Sequence, residues 1–168
     1  GFKQGFLRLW DLKGMEYFWG ATHPLVGVFL ITLTGSTSII VFRLLSVVMG
    51  SLMITVLFLI VRRHWGIQAG LAASLLGILS PVGIFSDASG MVEPLGIAGM
   101  LAGIYFFPRK PLAAGFLLAL ASMTRAEYWL LSGLVIVGML LVKSDSGKKP
   151  LLLVGYIVPI LLYMKYLL

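Results

Sequence analysis

The chain has 168 residues, 60% hydrophobic and 11% charged, with a mean hydropathy of +1.04. A water-soluble domain is nearer half apolar and a quarter charged, so this composition excludes a soluble fold and predicts an integral membrane protein. The net charge of +7 does not point to nucleic acid, because the basic residues are scattered through short loops, and the absence of cysteine excludes a disulfide framework or a thiolate metal site.

The expected fold is all-α: a polytopic bundle of about six spanning helices with short interfacial or re-entrant helices. Residues 1–38 are expected to form an external interfacial region, and 39–168 a single membrane domain. No cleavable signal pattern follows Gly1, and the chain closes on apolar Leu167-Leu168. It is therefore expected to be a piece of a longer protein.

The stretch before Thr22 mixes charge and aromatics: Lys3, Arg8, Trp10, Asp11, Lys13, Glu16, Tyr17 and Trp19. Phe2, Phe6 and Leu9 fall near helical spacing, and Trp and Tyr favour the headgroup level. This predicts one or two helices lying at the interface with membrane lipids. His23-Pro24-Leu25 then opens an apolar run to Thr34, too short to span ~30 Å of hydrocarbon. The proline restricts His23 to an extended backbone. Gly35 to Ser38 reads as a turn.

Six longer apolar runs follow: 39–61, 65–85, 91–107, 111–124, 128–142 and 150–164. Gly66/Gly70 and Gly99/Gly103 have the spacing that lets helices pack closely. The loops alternate in charge. One set holds Arg62-Arg63-His64, Arg109-Lys110 and 143–149, with seven Lys or Arg against one Asp. The other, 86–93 and 124–127, holds Arg125 against Asp87, Glu93 and Glu127. The basic set is predicted to be cytoplasmic. His23, Arg43, Asp87, Glu93, Arg125 and Glu127 then belong to the external or lumenal end.

Run length adds depth. The charge-free stretches 94–108, 111–124, 128–142 and 150–164 are 14 or 15 residues long. A span takes ~20 residues. With the inner ends pinned by basic loops, the outer ends stop roughly five residues, or about 7 Å, below the surface. Charges at that depth point to a recessed cavity. Glu93, ahead of Pro94, is expected to cap its helix. Asp87 falls in a Ser/Gly-rich loop, and a divalent cation held by Asp87 and Glu93 stays open. Arg43 either snorkels to headgroups or binds phosphate. His23 is an interfacial anchor, a hydrogen-bond donor or a metal ligand. A zinc site is disfavoured by the single external histidine. Carboxylates as bases and arginines as phosphate ligands suggest transfer of a group from a lipid-linked phosphate.

The order His23-Pro24-Leu25, Arg43-Leu44-Leu45, Arg62-Arg63-His64-Trp65-Gly66, Pro81, Glu93 and Thr124-Arg125-Ala126-Glu127 resembles the membrane glycosyltransferases of the C-type fold. That group includes the protein O-mannosyltransferases and the lipid A aminoarabinose transferase. His23-Pro24-Leu25 is similar to their His-Pro-Pro-Leu motif with one proline fewer. Gly5-Phe6 and Lys13-Gly14 also match the mannosyltransferase pattern. The resemblance implies inverting transfer from a dolichyl- or undecaprenyl-phosphate sugar to a protein, lipid or glycan acceptor. It implies a plasma membrane or endoplasmic reticulum location, with Arg43 and Arg125 on the donor phosphate. The family's Asp-Glu pair would fall at or before Gly1, which leaves Asp11 and Glu16 as substitutes within this chain. The rival expectations are a transporter or headgroup-binding subunit and a non-catalytic scaffold.

Overall fold

A computed structural model describes residues 20, 22–141 and 147–167. Asp11 and Glu16, the two substitute bases, lie outside the described residues, as does the 143–146 part of the last basic loop. The described residues form eight α-helices and no strand: α1 Thr22–Thr34, α2 Ile39–Trp65, α3 Ile67–Ile78, α4 Pro81–Ser89, α5 Glu93–Phe106, α6 Pro111–Ser122, α7 Ala126–Leu141 and α8 Lys148–Leu167.

The all-α expectation holds, with boundaries that local chemistry explains. The backbone of His23 is not extended; it lies in the first turn of α1. The first N–H groups of a helix have no intrahelical partner, so Pro24 removes nothing the turn needs. Helix α2 starts at Ser38, whose hydroxyl accepts from the Ile40 amide at 3.3 Å. It ends on Arg62, Arg63 and His64, where cations suit the helix dipole. Gly66, at φ +87°, reverses the chain in one residue. It is a turn residue rather than the packing contact its spacing with Gly70 suggests.

The apolar run 65–85 is not one helix. Pro81 cannot donate to the turn before it, and Ser80 accepts from the Gly83 amide at 3.3 Å as a new N-cap. Helices α3 and α4 therefore meet at 60°. The expected loop from Ser86 is helical as far as Ser89, and Gly90 at φ +74° ends it. Asp87 consequently sits on a helix, not in a solvated loop.

Helix α6 is the centre of the packing. Ala114, Leu118, Ala119 and Ser122 are fully buried between α5, α7 and α8. The core joins Leu118 and Ala114 to Phe107, Ile136, Met139 and Leu152. Small residues set the distances. Gly96, Gly99 and Gly103 of α5 lie against Thr124, Ala121 and Leu118, so α5 and α6 are antiparallel. A Cβ at Gly115 would overlap the Leu152 carbonyl, and one at Gly155 the Leu112 carbonyl, so α6 and α8 cross backbone to backbone.

The other half is a hairpin on α2. Gly70 faces Phe58, Gly77 faces Ile54, and Gly90 faces Arg43, so α3 and α4 run back along α2. The contacts put Arg62–His64, Arg109–Lys110 and Lys148–Lys149 toward one end of the molecule. The turns at Gly90 and Met123 lie at the other. Among the described residues, α2 is long and apolar enough to cross a membrane, and the α3–α4 pair qualifies if its bent halves form one span. Helices α1, α5, α6 and α7 are apolar but only 12 to 16 residues long. Ile40, Leu44, Val48, Leu76, Val82, Leu130 and Leu141 are among many large apolar side chains left exposed.

Candidate functional site

Helix α6 ends at Ser122 with Met123 as its C-cap, and the Thr124 hydroxyl donates back to the Ala121 carbonyl at 2.6 Å. This turn holds Arg125 over the start of α5. Its NH1 donates to Oε1 of Glu93, while Nε and NH2 reach Oε2 and Oε1 of Glu127 at 3.2 and 3.0 Å. One guanidinium is thus gripped by two carboxylates, forked on the Glu127 side. Glu93 is the first residue of α5 and does not cap it; no side chain caps that helix. Its carboxylate is drawn to Arg125 instead, and its second oxygen is buried with no hydrogen-bond partner among the described residues.

Arg125 and Glu127 precede the apolar run that begins at Tyr128. The hydrogen bond to Glu127 raises the Arg125 pKa above its already high ordinary value. The reciprocal bond, then one from its own backbone, lowers that of Glu127. Both therefore stay charged through the neutral range. Counting formal charges, the cluster carries two negatives and one positive.

The cluster rests on buried supports. Tyr128 is 8% exposed, and its hydroxyl donates to the Glu93 carbonyl at 3.4 Å. Gly96 makes room for the Tyr128 ring and the Thr124 hydroxyl; a Cβ there would collide with both. On the other side the chain entering α1 docks on the same turn. The Gly20 amide donates to the Thr124 carbonyl at 2.9 Å and the Thr22 amide to the Met123 carbonyl at 3.0 Å. The Thr22 hydroxyl donates to the Leu120 carbonyl at 2.8 Å. A Cβ on Gly20 would overlap the Met123 carbonyl, so this approach requires glycine. The His-Pro-Leu segment therefore begins at the cluster, although 98 residues separate Thr22 from Leu120 in sequence.

Arg43 and Asp87 lie apart from this cluster. The backbone and Cγ of Arg43 lie against Gly90, and the neighbouring Ser46 hydroxyl donates to the Met91 carbonyl at 2.9 Å, tying α2 to the turn that leads to Glu93. Arg43 is exposed and makes no ion pair among the described residues. The Asp87 carboxylate faces Gly50 of α2, whereas Glu93 faces Arg125. The two carboxylates thus face different partners, and among the described residues no three His, Asp or Glu side chains converge on a metal-sized site.

The sequence singled out the charges but missed Gly20, Thr22, Thr124 and Tyr128. Gly20 carried a faint signal, a glycine just ahead of His23-Pro24. The others read as ordinary polar or aromatic residues of a membrane chain. Comparison with known protein families, curated proteins and solved structures finds no match for the chain.

Proposed function

We propose that this chain is the donor-binding part of a multi-pass membrane glycosyltransferase that uses a polyprenyl-phosphate sugar. The observation that carries the reading is the docking of Gly20–Thr22 on Met123–Thr124, which joins the His-Pro-Leu segment to Glu93, Arg125 and Glu127. The long apolar α2, the uncovered apolar side chains and the clustering of Lys and Arg at one end support a bundle crossing the membrane several times, the charged cluster external or lumenal. A cysteine at Ser38 should then react with an impermeant maleimide from outside, and one at Arg109 should not. The opposite labelling would reverse the orientation.

In the reaction, the acceptor oxygen forms a bond to the anomeric carbon as the bond from that carbon to the phosphate oxygen breaks. The acceptor proton passes to a carboxylate base, and the lipid phosphate leaves as the anion. Arg43 is the better candidate for the phosphate, because Arg125 already spends its nitrogens on two carboxylates that would repel an anion. The Glu93–Arg125–Glu127 cluster suits sugar hydroxyls, which can donate to the exposed carboxylate of Glu127. Asp11 and Glu16 remain the base candidates within the chain.

The test is transfer of radiolabelled sugar from its polyprenyl phosphate by membranes containing the full-length protein. Arg43→Ala should lower kcat/KM about tenfold or more, with Arg43→Lys between it and wild type. Unchanged transfer in Arg43→Ala would remove the phosphate assignment. The double carboxylate grip on Arg125 also favours a second reading, a non-catalytic subunit holding a polar headgroup. That reading predicts donor binding with no transfer in any variant.

A further inference from the structure

A groove of about 500 Å³ opens between α2, α3 and α4. The bend at Ser80–Pro81 creates it, because α3 and α4 both lie on α2 yet diverge by 60°. Val47, Ile54, Ile78 and Ile84 wall it, and among the described residues Asp87 is the one ionisable group that lines it. A Cβ at Gly50 would overlap the Asp87 carboxylate, so the side chain lies directly on the α2 backbone. Its Oδ1 is buried with no hydrogen-bond partner among the described residues.

Gly50 lies eleven residues after Ile39, roughly 17 Å along the helix. Asp87 is therefore well inside the apolar length of α2, reached from hydrocarbon rather than from bulk water. A lone carboxylate there is costly, and a charge-assisted hydrogen bond removes most of that cost. The missing element is a donor on an apolar body. The volume is that of a small-molecule site, ~300–1,000 Å³. An alkyl chain suits a groove walled by Val47, Ile54, Ile78 and Ile84.

We propose that this groove binds an alkyl-chain primary amine, with its chain along Val47, Ile54 and Ile84 and its nitrogen on Asp87. The ammonium donates to the Asp87 carboxylate, so the pair forms without a proton transfer or any other reactant. The site is separate from the Glu93–Arg125–Glu127 cluster and stands whether or not the chain transfers sugar.

Equilibrium binding of radiolabelled dodecylamine to the full chain in phosphatidylcholine nanodiscs tests it, with dodecanol and dodecanoate as competitors. Saturable amine binding is expected, with dodecanol and dodecanoate each roughly tenfold or more weaker as competitors. Asp87→Asn should erase that preference. Ile84→Trp, at a groove position more than half exposed, should block binding while leaving circular dichroism and thermal unfolding unchanged. Equal competition by all three compounds, undiminished amine preference in Asp87→Asn, or no saturable binding would overturn the proposal.

Discussion

The α5–α8 half and the α2–α4 half are built on opposite plans. Around α6 the backbones touch, Leu118 and Leu152 are fully buried, and Gly115 and Gly155 admit carbonyls where any side chain would collide. Around α2 only 11% of the most apolar window is buried, and the hairpin partners diverge. The difference divides the labour. The close-packed half holds Glu93, Arg125 and Glu127 in one geometry, because they stand at the starts of its packed helices α5 and α7. The open half offers apolar surface, with Arg43 near one end and Asp87 in its groove. Helices α2–α4 leave many large apolar side chains uncovered, whereas the charged cluster rests on close-packed supports.

Substitutions that invert this contrast should show the largest effects. Gly155→Leu drives a side chain into the Leu112 carbonyl and should cost about 3 kcal/mol or more, read as loss of the folded species in thermal unfolding. Gly138→Ala, with open space around its Cβ position, should be neutral or stabilising by up to about 1 kcal/mol in the same measurement. If the two matched, the backbone crossing of α6 and α8 would be wrong.

Next comes Arg125→Ala, which leaves the partly buried Glu93 without its partner. Both side chains are a little under a third exposed, so the cost should be ~1–2 kcal/mol, less than for a fully buried pair. Adding Glu93→Gln should recover much of the loss; no recovery in that double mutant would argue against the pair. Glu127→Gln should be mildest, since that carboxylate is 57% exposed. The pH dependence has a defined sign. Hydrogen bonding from Arg125 lowers the Glu127 pKa, so its stabilising contribution is present above the ordinary carboxylate pKa. That contribution is lost as pH falls through the lowered value. Unfolding at pH below the ordinary carboxylate range should show this small loss in wild type and not in Glu127→Gln.

Much of this division was legible in the sequence, and what was not follows from chain separation. Charge-free run lengths anticipated the short helices, whereas 65–85 read as one apolar run and Ser80-Pro81 breaks it into α3 and α4. Arg125 and Glu127 stood out as charge between apolar stretches, but that they pair with each other is a finding of the structure. The grip of Arg125 on Glu93, 32 residues away, depends on how α5 packs against α6. Gly20 is a bystander until the Met123 carbonyl arrives beside it. Asp87 was misassigned for a local reason: Ser, Asp and Gly read as loop, whereas α2 supplies the packing that keeps 86–89 helical. Gly50, the residue that admits the Asp87 side chain, carries no local signal at all.

The most direct test of the joined site is the initial rate of sugar transfer from a polyprenyl-phosphate donor by full-length Gly20→Ala in membranes. A methyl group there separates the His-Pro-Leu segment from the Arg125 turn without removing any charge. The account predicts a fall of about tenfold or more, with the amount of folded protein unchanged. A wild-type rate from Gly20→Ala would contradict it.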